Sequence, residues 1–199
     1  MILVTGFEPY AGSHVNPSAL VLASLPDVIK GRVLRKAILP CDSQQTPSQA
    51  MKLASEPAVR TIVILGEDSR YALLTLERVA YNWLQYDVPD NHGYQPMYTR
   101  IIEKGPNLLV TQLDTKAIQL ALAARKTEIN VASDPGRHLC NHVYYTILYY
   151  TKYIWMVPKT VILLHLPRLP EQQMCPSLPF DESFRSTREV IEYITLMGW

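Results

Sequence analysis

The stretch "VRTIVILG", Val59–Gly66, decides how the rest of the chain reads. It is an apolar run rich in β-branched residues and closed by glycine, the pattern of a central strand. Upstream, "MILVTG" (Met1–Gly6) is a second short apolar run ended by glycine. It leads into "NPSALVLASLP" (Asn16–Pro26), where Asn16 can cap a helix, Pro17 suits its first turn and an apolar stripe follows. "GRVLRKAILP" (Gly31–Pro40) reads as another strand and "DSQQTPSQAMKLAS" (Asp42–Ser55) as a helix whose start is obscured by Pro47.

Downstream the same alternation continues. "YALLTLERVAYN" (Tyr71–Asn82) looks extended, "TKAIQLALAARKTE" (Thr115–Glu128) is an amphipathic helix and "INVASD" (Ile129–Asp134) a strand. "HLCNHVYYTILYYT" (His138–Thr151) is a helix, "KTVILLHLP" (Lys159–Pro167) a buried strand, and "DESFRSTREVIEYITLM" (Asp181–Met197) a helix with an acidic first turn. Strands alternating with helices predict an α/β fold, a three-layer α/β/α sandwich around a mostly parallel twisted sheet. No repeat or linker interrupts the pattern, so residues 1–199 are expected to form a single domain. The exception is Asn82–Pro106, whose "VPDNHGYQP" (Val88–Pro96) is turn-rich and reads as a loop or short hairpin, the kind of segment that carries function.

Composition narrows the function classes. A formal charge of +1 with no block of Lys or Arg argues against nucleic acid as a partner. No apolar run approaches the roughly 20 residues that span a bilayer, and the first residues form a strand pattern and not a signal sequence, so no membrane is involved and a cytoplasmic location is expected. Three cysteines at wide spacing, Cys41, Cys140 and Cys175, fit neither a disulfide framework nor a zinc site.

In such a sheet ligands meet the loops beyond the carboxyl ends of the strands. Those loops hold Gly6–Gly12, Gly66–Arg70, Asp134–Cys140 and His165. Cys140 heads a helix, where free N–H groups and the positive dipole end favour a thiolate and suit an oxyanion; it reads equally as a small buried apolar residue. His165 ends an apolar strand, either as a satisfied structural imidazole or as the base for a thiol. His14, His92, His138 and His142 are rival bases. Glu77 interrupts an apolar stretch and could orient an imidazole, or simply pair with Arg78.

Five segments in order, "VTGFEPYAGSHVNPS" (Val4–Ser18), "TLERVAYN" (Thr75–Asn82), "VPDNHGYQP", "LCNHVYYTIL" (Leu139–Leu148) and "HLPRLPEQ" (His165–Gln172), together resemble the pyroglutamyl peptidase I (pyrrolidone-carboxylate peptidase) family of cysteine peptidases. The resemblance implies an α/β/α sandwich, a cytoplasmic location, assembly as a dimer or tetramer, no metal or organic cofactor, and removal of N-terminal pyroglutamate (5-oxoproline) from peptides. It also implies a catalytic Cys140, His165 and Glu77. Phe7, Tyr10, Glu67, Asp87, Val88, His138 and Leu139 are the expected substrate-binding positions.

Several of those positions depart from the family pattern. Tyr10 stands in "FEPYAG" where the family has "FEPFGG", Glu67 in "GEDSR" replaces a glutamine, Asp87 replaces an arginine, and His138 replaces an aromatic residue before the cysteine. An unpaired buried Glu67 or Asp87 would cost several kcal/mol in a pocket for a neutral lactam, unless each finds a cation or solvent. Two alternatives follow: an amidase of the same fold with altered acyl specificity, and a pseudoenzyme that binds a small ligand or partner without turnover.

Overall fold

Each apolar run becomes a strand, and the polar-capped segments between them become helices. The computed structural model describes residues 1–198; Trp199, the last residue of the expected single domain, lies outside the described residues. The elements in chain order are β1 (Ile2–Phe7), α1 (Pro17–Ser24), β2 (Val28–Ile29), β3 (Arg32–Leu39), α2 (Gln45–Ala54), β4 (Thr61–Glu67), β5 (Thr75–Glu77) and β6 (Val79–Tyr81). After these come β7 (Trp83–Leu84), β8 (Thr99–Arg100), β9 (Leu108–Val110), α3 (Thr115–Ala123), β10 (Asn130–Ala132), α4 (Leu139–Tyr153), β11 (Thr160–Leu166), a 3₁₀ turn (Pro170–Gln172) and α5 (Phe180–Leu196).

The main sheet has seven strands in the order β10-β5-β11-β4-β1-β3-β2. β4, formed by the apolar run that begins near Val59, lies at its centre between β1 and β11 and pairs parallel with both. The sheet is mostly parallel, as expected, with two reversals: β2 is antiparallel to β3, and β5 is antiparallel to β11. The period-2 alternation of side chains divides the core in two. Val4, Val63, Leu65, Ile162 and Leu164 face α1, α3 and α5, while Leu3, Ile62, Ile64, Val161 and Leu163 face α2 and α4. Continuing the second series one step past the apolar run gives Gly66 on β4 and His165 on β11, so both lie on the α4 face.

Local chemistry sets the element ends. The Asn16 side chain accepts the Ser18 N–H at 3.0 Å, and Ser18 Oγ accepts the Phe7 N–H at 2.9 Å, which ties the cap of α1 to the end of β1. Gly6 permits that approach, because a Cβ there would stand 2.8 Å from the Ser18 carbonyl oxygen. Pro47 falls in the first turn of α2, where its missing N–H has no intrahelical partner to lose, and Asp42 accepts the Gln44 and Gln45 N–H groups at 2.7 and 2.8 Å.

Asn82–Pro106 is a braced excursion. β7 pairs with β8 and β6 with β9, both antiparallel, and Leu84 and Tyr86 are buried, which turn-rich composition did not indicate. Asn82 is buried at its root: its amide donates to the carbonyls of Ile102 (2.8 Å) and Gly105 (3.2 Å), and its side-chain oxygen accepts from the N–H groups of Ile101 (3.1 Å) and Ile102 (2.8 Å). Replacing Asn82 with alanine leaves these backbone groups without partners. The expected loss is about 2–4 kcal/mol of stability, read as a lower urea midpoint at unchanged m-value.

Candidate active site

Sheet register brings the first pair of functional side chains together. In the antiparallel β5–β11 ladder, Leu163 faces Glu77 and His165 faces Thr75, so Glu77 is the diagonal neighbour of His165 on one face. Diagonal neighbours are about 7–8 Å apart at Cα and within reach of long side chains. Glu77 Oε1 lies 2.9 Å from His165 Nδ1, with the two side chains 0% and 2% exposed. Tyr71 Oη donates to the same carboxylate oxygen at 3.0 Å, and Tyr144 Oη donates to the Glu77 backbone carbonyl at 2.9 Å. Glu77 therefore pairs with the imidazole and not with Arg78.

α4 supplies the thiol. Cys140 is the second residue of the helix, and the next residue anchors the helix start: Asn141 accepts the Tyr81 N–H at 2.8 Å and donates to the carbonyls of Tyr81 (2.9 Å) and Trp83 (3.2 Å). Gly66 lies between thiol and imidazole. A Cβ on Gly66 would stand 2.5 Å from Cys140 Sγ and 3.3 Å from His165 Cδ2, so both groups pack against a site that only glycine leaves open. The N–H groups of the first turn of α4 have no carbonyl four residues back and stay available to an oxyanion.

The thiol departs from the helix-terminus expectation. Burial pushes Cys140 well above its ordinary pKa, and the nearby Cys41, Asp68 and Glu67 add to the shift. The resting group is a neutral thiol.

These residues open onto a cavity of about 340 Å³. Its lining includes Phe7, Tyr10, Glu67, Asp87, Val88 and His138, six of the seven expected substrate-binding positions, together with Cys140 and His165. Leu139, the seventh, does not line it. Its side chain is 1% exposed in the core cluster under α4, because the first residue of the helix turns toward the sheet while Cys140, one residue on, turns toward the cavity. The His138 ring lies 3.9 Å from Tyr86 and 5.7 Å from Tyr10 between ring centroids, and its Nε2 is 3.2 Å from the Val88 carbonyl oxygen. Burial lowers its pKa, so it occupies the family's aromatic position as a neutral ring.

The substituted acids resolve in two ways. Glu67 is within 3.3 Å of Arg168 Nε and of Gln172 Nε2; burial raises its pKa while these two partners oppose the rise. Asp87 is exposed at the cavity edge. Of the rival bases, His14 and His92 are exposed, with His92 Nδ1 3.1 Å from Asp42, and His142 is driven by burial down to about 4. None of these three lines the cavity. Among the described residues no group of three or more His, Cys, Asp or Glu is arranged to hold a metal ion.

Sequence reading passed over Asn141, Tyr71 and Tyr144, the residues that hold the thiol-bearing helix and Glu77 in place. Asn141 carried a usable signal, an amide in the apolar face of a helix.

A thiol, an imidazole and a buried carboxylate gathered at the carboxyl edge of an α/β/α sheet are the equipment of a cysteine hydrolase. The chain belongs to the pyroglutamyl peptidase family, which matches residues 1–196. It is 33% identical to a pyrrolidone-carboxylate peptidase of Thermococcus onnurineus over 173 residues, 87% of this chain and 86% of the relative. The crystal structure of pyrrolidone carboxyl peptidase from Thermus thermophilus superposes with a TM-score of 0.88 at 31% identity, covering 96% of this chain and 99% of that one. The enzyme from Fervidobacterium islandicum superposes with a TM-score of 0.92 at 30% identity over 98% of each chain.

Gly66→Ala tests the packing of the site without touching its chemistry. The added methyl must displace Sγ, and a misplacement of about 1 Å can cost about 10²-fold in rate. A drop of that size in turnover, with the folded state retained by circular dichroism, is the expected outcome.

Proposed function

We propose that this chain is a cytoplasmic cysteine peptidase, folded as one domain, that removes N-terminal pyroglutamate from peptides with Cys140, His165 and Glu77 as its catalytic triad. The observation that carries the reading is the buried 2.9 Å contact between Glu77 and His165 Nδ1 beside a cavity-lining thiol, in a chain of this family. Glu77 keeps the proton on Nδ1, which leaves Nε2 as the base.

The reaction follows from that tautomer. His165 Nε2 takes the Cys140 proton as Sγ attacks the pyroglutamyl carbonyl carbon, and the first-turn N–H groups of α4 receive the oxyanion. The protonated Nε2 then gives its proton to the leaving amine, and the C–N bond breaks to leave a thioester. A water deprotonated by Nε2 attacks the thioester, releasing pyroglutamate and returning the proton to sulfur.

Phe7, Tyr10 and His138 supply flat, mostly apolar walls suited to a small lactam ring. Glu67 meets Arg168 and Gln172 inside the protein, and Asp87 meets solvent, so neither acid demands a charged substrate or favours the altered-specificity and pseudoenzyme alternatives. Three free cysteines fit a reducing compartment, and the end of the helix that carries Cys140 together with the loop after it exposes Tyr153, Ile154 and Met156, an apolar surface suited to a dimer or tetramer.

Release of the fluorophore from a pyroglutamyl-arylamide under reducing conditions tests the reading. The folded protein turns the substrate over, Cys140→Ala lowers the rate by at least about 10⁴-fold, and Glu77→Gln lowers kcat by about 10²–10⁴-fold with little change in KM. Silence from the folded protein would overturn it.

A further inference from the structure

His165 faces a second carboxylate. Asp68 Oδ2 lies 3.7 Å from Nδ1, on the same nitrogen that Glu77 approaches at 2.9 Å. Asp68 directly follows β4, in the turn "GEDSR". Its side chain is 12% exposed and lines the cavity.

That position is fixed from several sides. The Asp68 N–H donates to the Leu166 carbonyl at 2.9 Å. Arg70 Nε donates to Oδ1 and Oδ2 at 3.0 and 3.1 Å, Arg70 Nη2 to Oδ2 at 2.6 Å, and the Arg70 backbone N–H to Oδ1 at 2.9 Å. Arg70 is held in turn by the Asp134 carbonyl at 2.8 Å and Asp134 Oδ2 at 3.0 Å, and Asp134 by Arg137 at 2.8 Å. A clamp this complete on a carboxylate that makes no hydrogen bond to the imidazole calls for an account. Burial works to raise the Asp68 pKa, but the Arg70 hydrogen bonds and the His165 and Arg70 charges outweigh it and hold the carboxyl below its ordinary value. It is an anion at neutral pH.

The geometry points to Asp68 as a positioning residue for the reaction proposed above: a second anion, held by Arg70 beside His165 Nδ1, that favours the imidazolium formed when Nε2 takes the thiol proton. The inference rests on His165 being the base. The other titratable or charged groups around the ring are Glu77 on β5, Glu67 at the end of β4, Arg70 and Tyr71 in the following turn, and Cys140 on α4. Of these, Glu77 bonds Nδ1, Tyr71 bonds Glu77, Glu67 is matched by Arg168, and Arg70 weakens the field of Asp68. Removing the Asp68 charge leaves the imidazolium with one carboxylate neighbour and a guanidinium held only by Asp134, so the protonated ring is less favoured.

The test titrates His165 by NMR in the Cys140→Ala protein, with the resonance assigned by its loss in His165→Gln. An anion within about 4–6 Å is worth about 1–3 pKa units, and the Arg70 counter-charge puts the expected fall for Asp68→Asn near the low end, about one unit. Asp68→Glu restores the midpoint, and Arg70→Gln, which leaves the anion but removes its counter-charge, raises it. In the active protein the acidic limb of kcat/KM on the pyroglutamyl-arylamide moves down in pH with Asp68→Asn by the same amount. A slower Asp68→Asn enzyme with an unmoved His165 midpoint would mean that Asp68 only anchors the Arg70 turn, and the inference fails. A midpoint that moves in a protein with no peptidase activity keeps the Asp68–His165 coupling and sinks the peptidase reading instead, so the two failures are separable.

Discussion

The contact on which the site depends is the hydrogen bond between Glu77 and His165, made inside the sheet with almost no exposure of either side chain. A carboxylate taken out of water without a partner costs several kcal/mol, so Glu77 is tolerable there only because the imidazole and Tyr71 meet it. That requirement fixes the register of the reversed strand β5. A slip of one residue would turn Glu77 to the opposite face and put Leu76 beside the imidazole. The parallel β11–β4 register places Gly66 on the other flank of His165, and with it the space that Cys140 fills. Fold and site are thus constrained by one row of side chains crossing β5, β11 and β4.

Two effects compete at the thiol, and their sizes decide the outcome. A helix N-terminus contributes about 0.3–1 kcal/mol to a nearby anion, up to about 2 when partly buried. Burial can move a titratable group by several pKa units at about 1.4 kcal/mol each, and here Asp68 and Glu67 push in the same direction. Burial wins, and the thiol keeps its proton until a base removes it. The helix terminus then does its work on the oxyanion, which forms only during the reaction.

How much of this the sequence disclosed depends on the range of the interaction. β4, β11 and the helices were legible because apolar periodicity and caps are local, and Cys140 and His165 were legible because they sit where polar residues interrupt such runs at strand and helix ends. The direction of the Leu139 side chain was not legible, since side chains one residue apart on a helix point about 100° apart: it packs in the core while Cys140 lines the cavity. The reversal of β5 left no local trace, since a three-residue strand reads the same in either direction. Asn82, Asn141 and Tyr144 escaped notice because their partners lie 19 to 67 positions away in the chain. The partners of Glu67 were hidden for the same reason: Arg168 is 101 residues distant and reaches it only because β4 and β11 end side by side.

That last pairing explains how the cavity admits its acids. The ends of β4 and β11 deliver Glu67 and Asp68 from one strand and Arg168 from the other, and the turn after β4 adds Arg70. Glu67 and Asp68 are each matched by their own guanidinium. Phe7, Tyr10 and His138 add rings to the lining of the same cavity. The pocket therefore combines matched ion pairs with flat walls. In the proposed reaction a charge beside His165 acts on the proton shared with sulfur, whereas the rings can meet a neutral five-membered lactam without leaving an ion unmatched. Of the two acids that looked like obstacles to a lactam, Glu67 is matched inside the protein and Asp87 is left to solvent, so neither has to be met by the substrate.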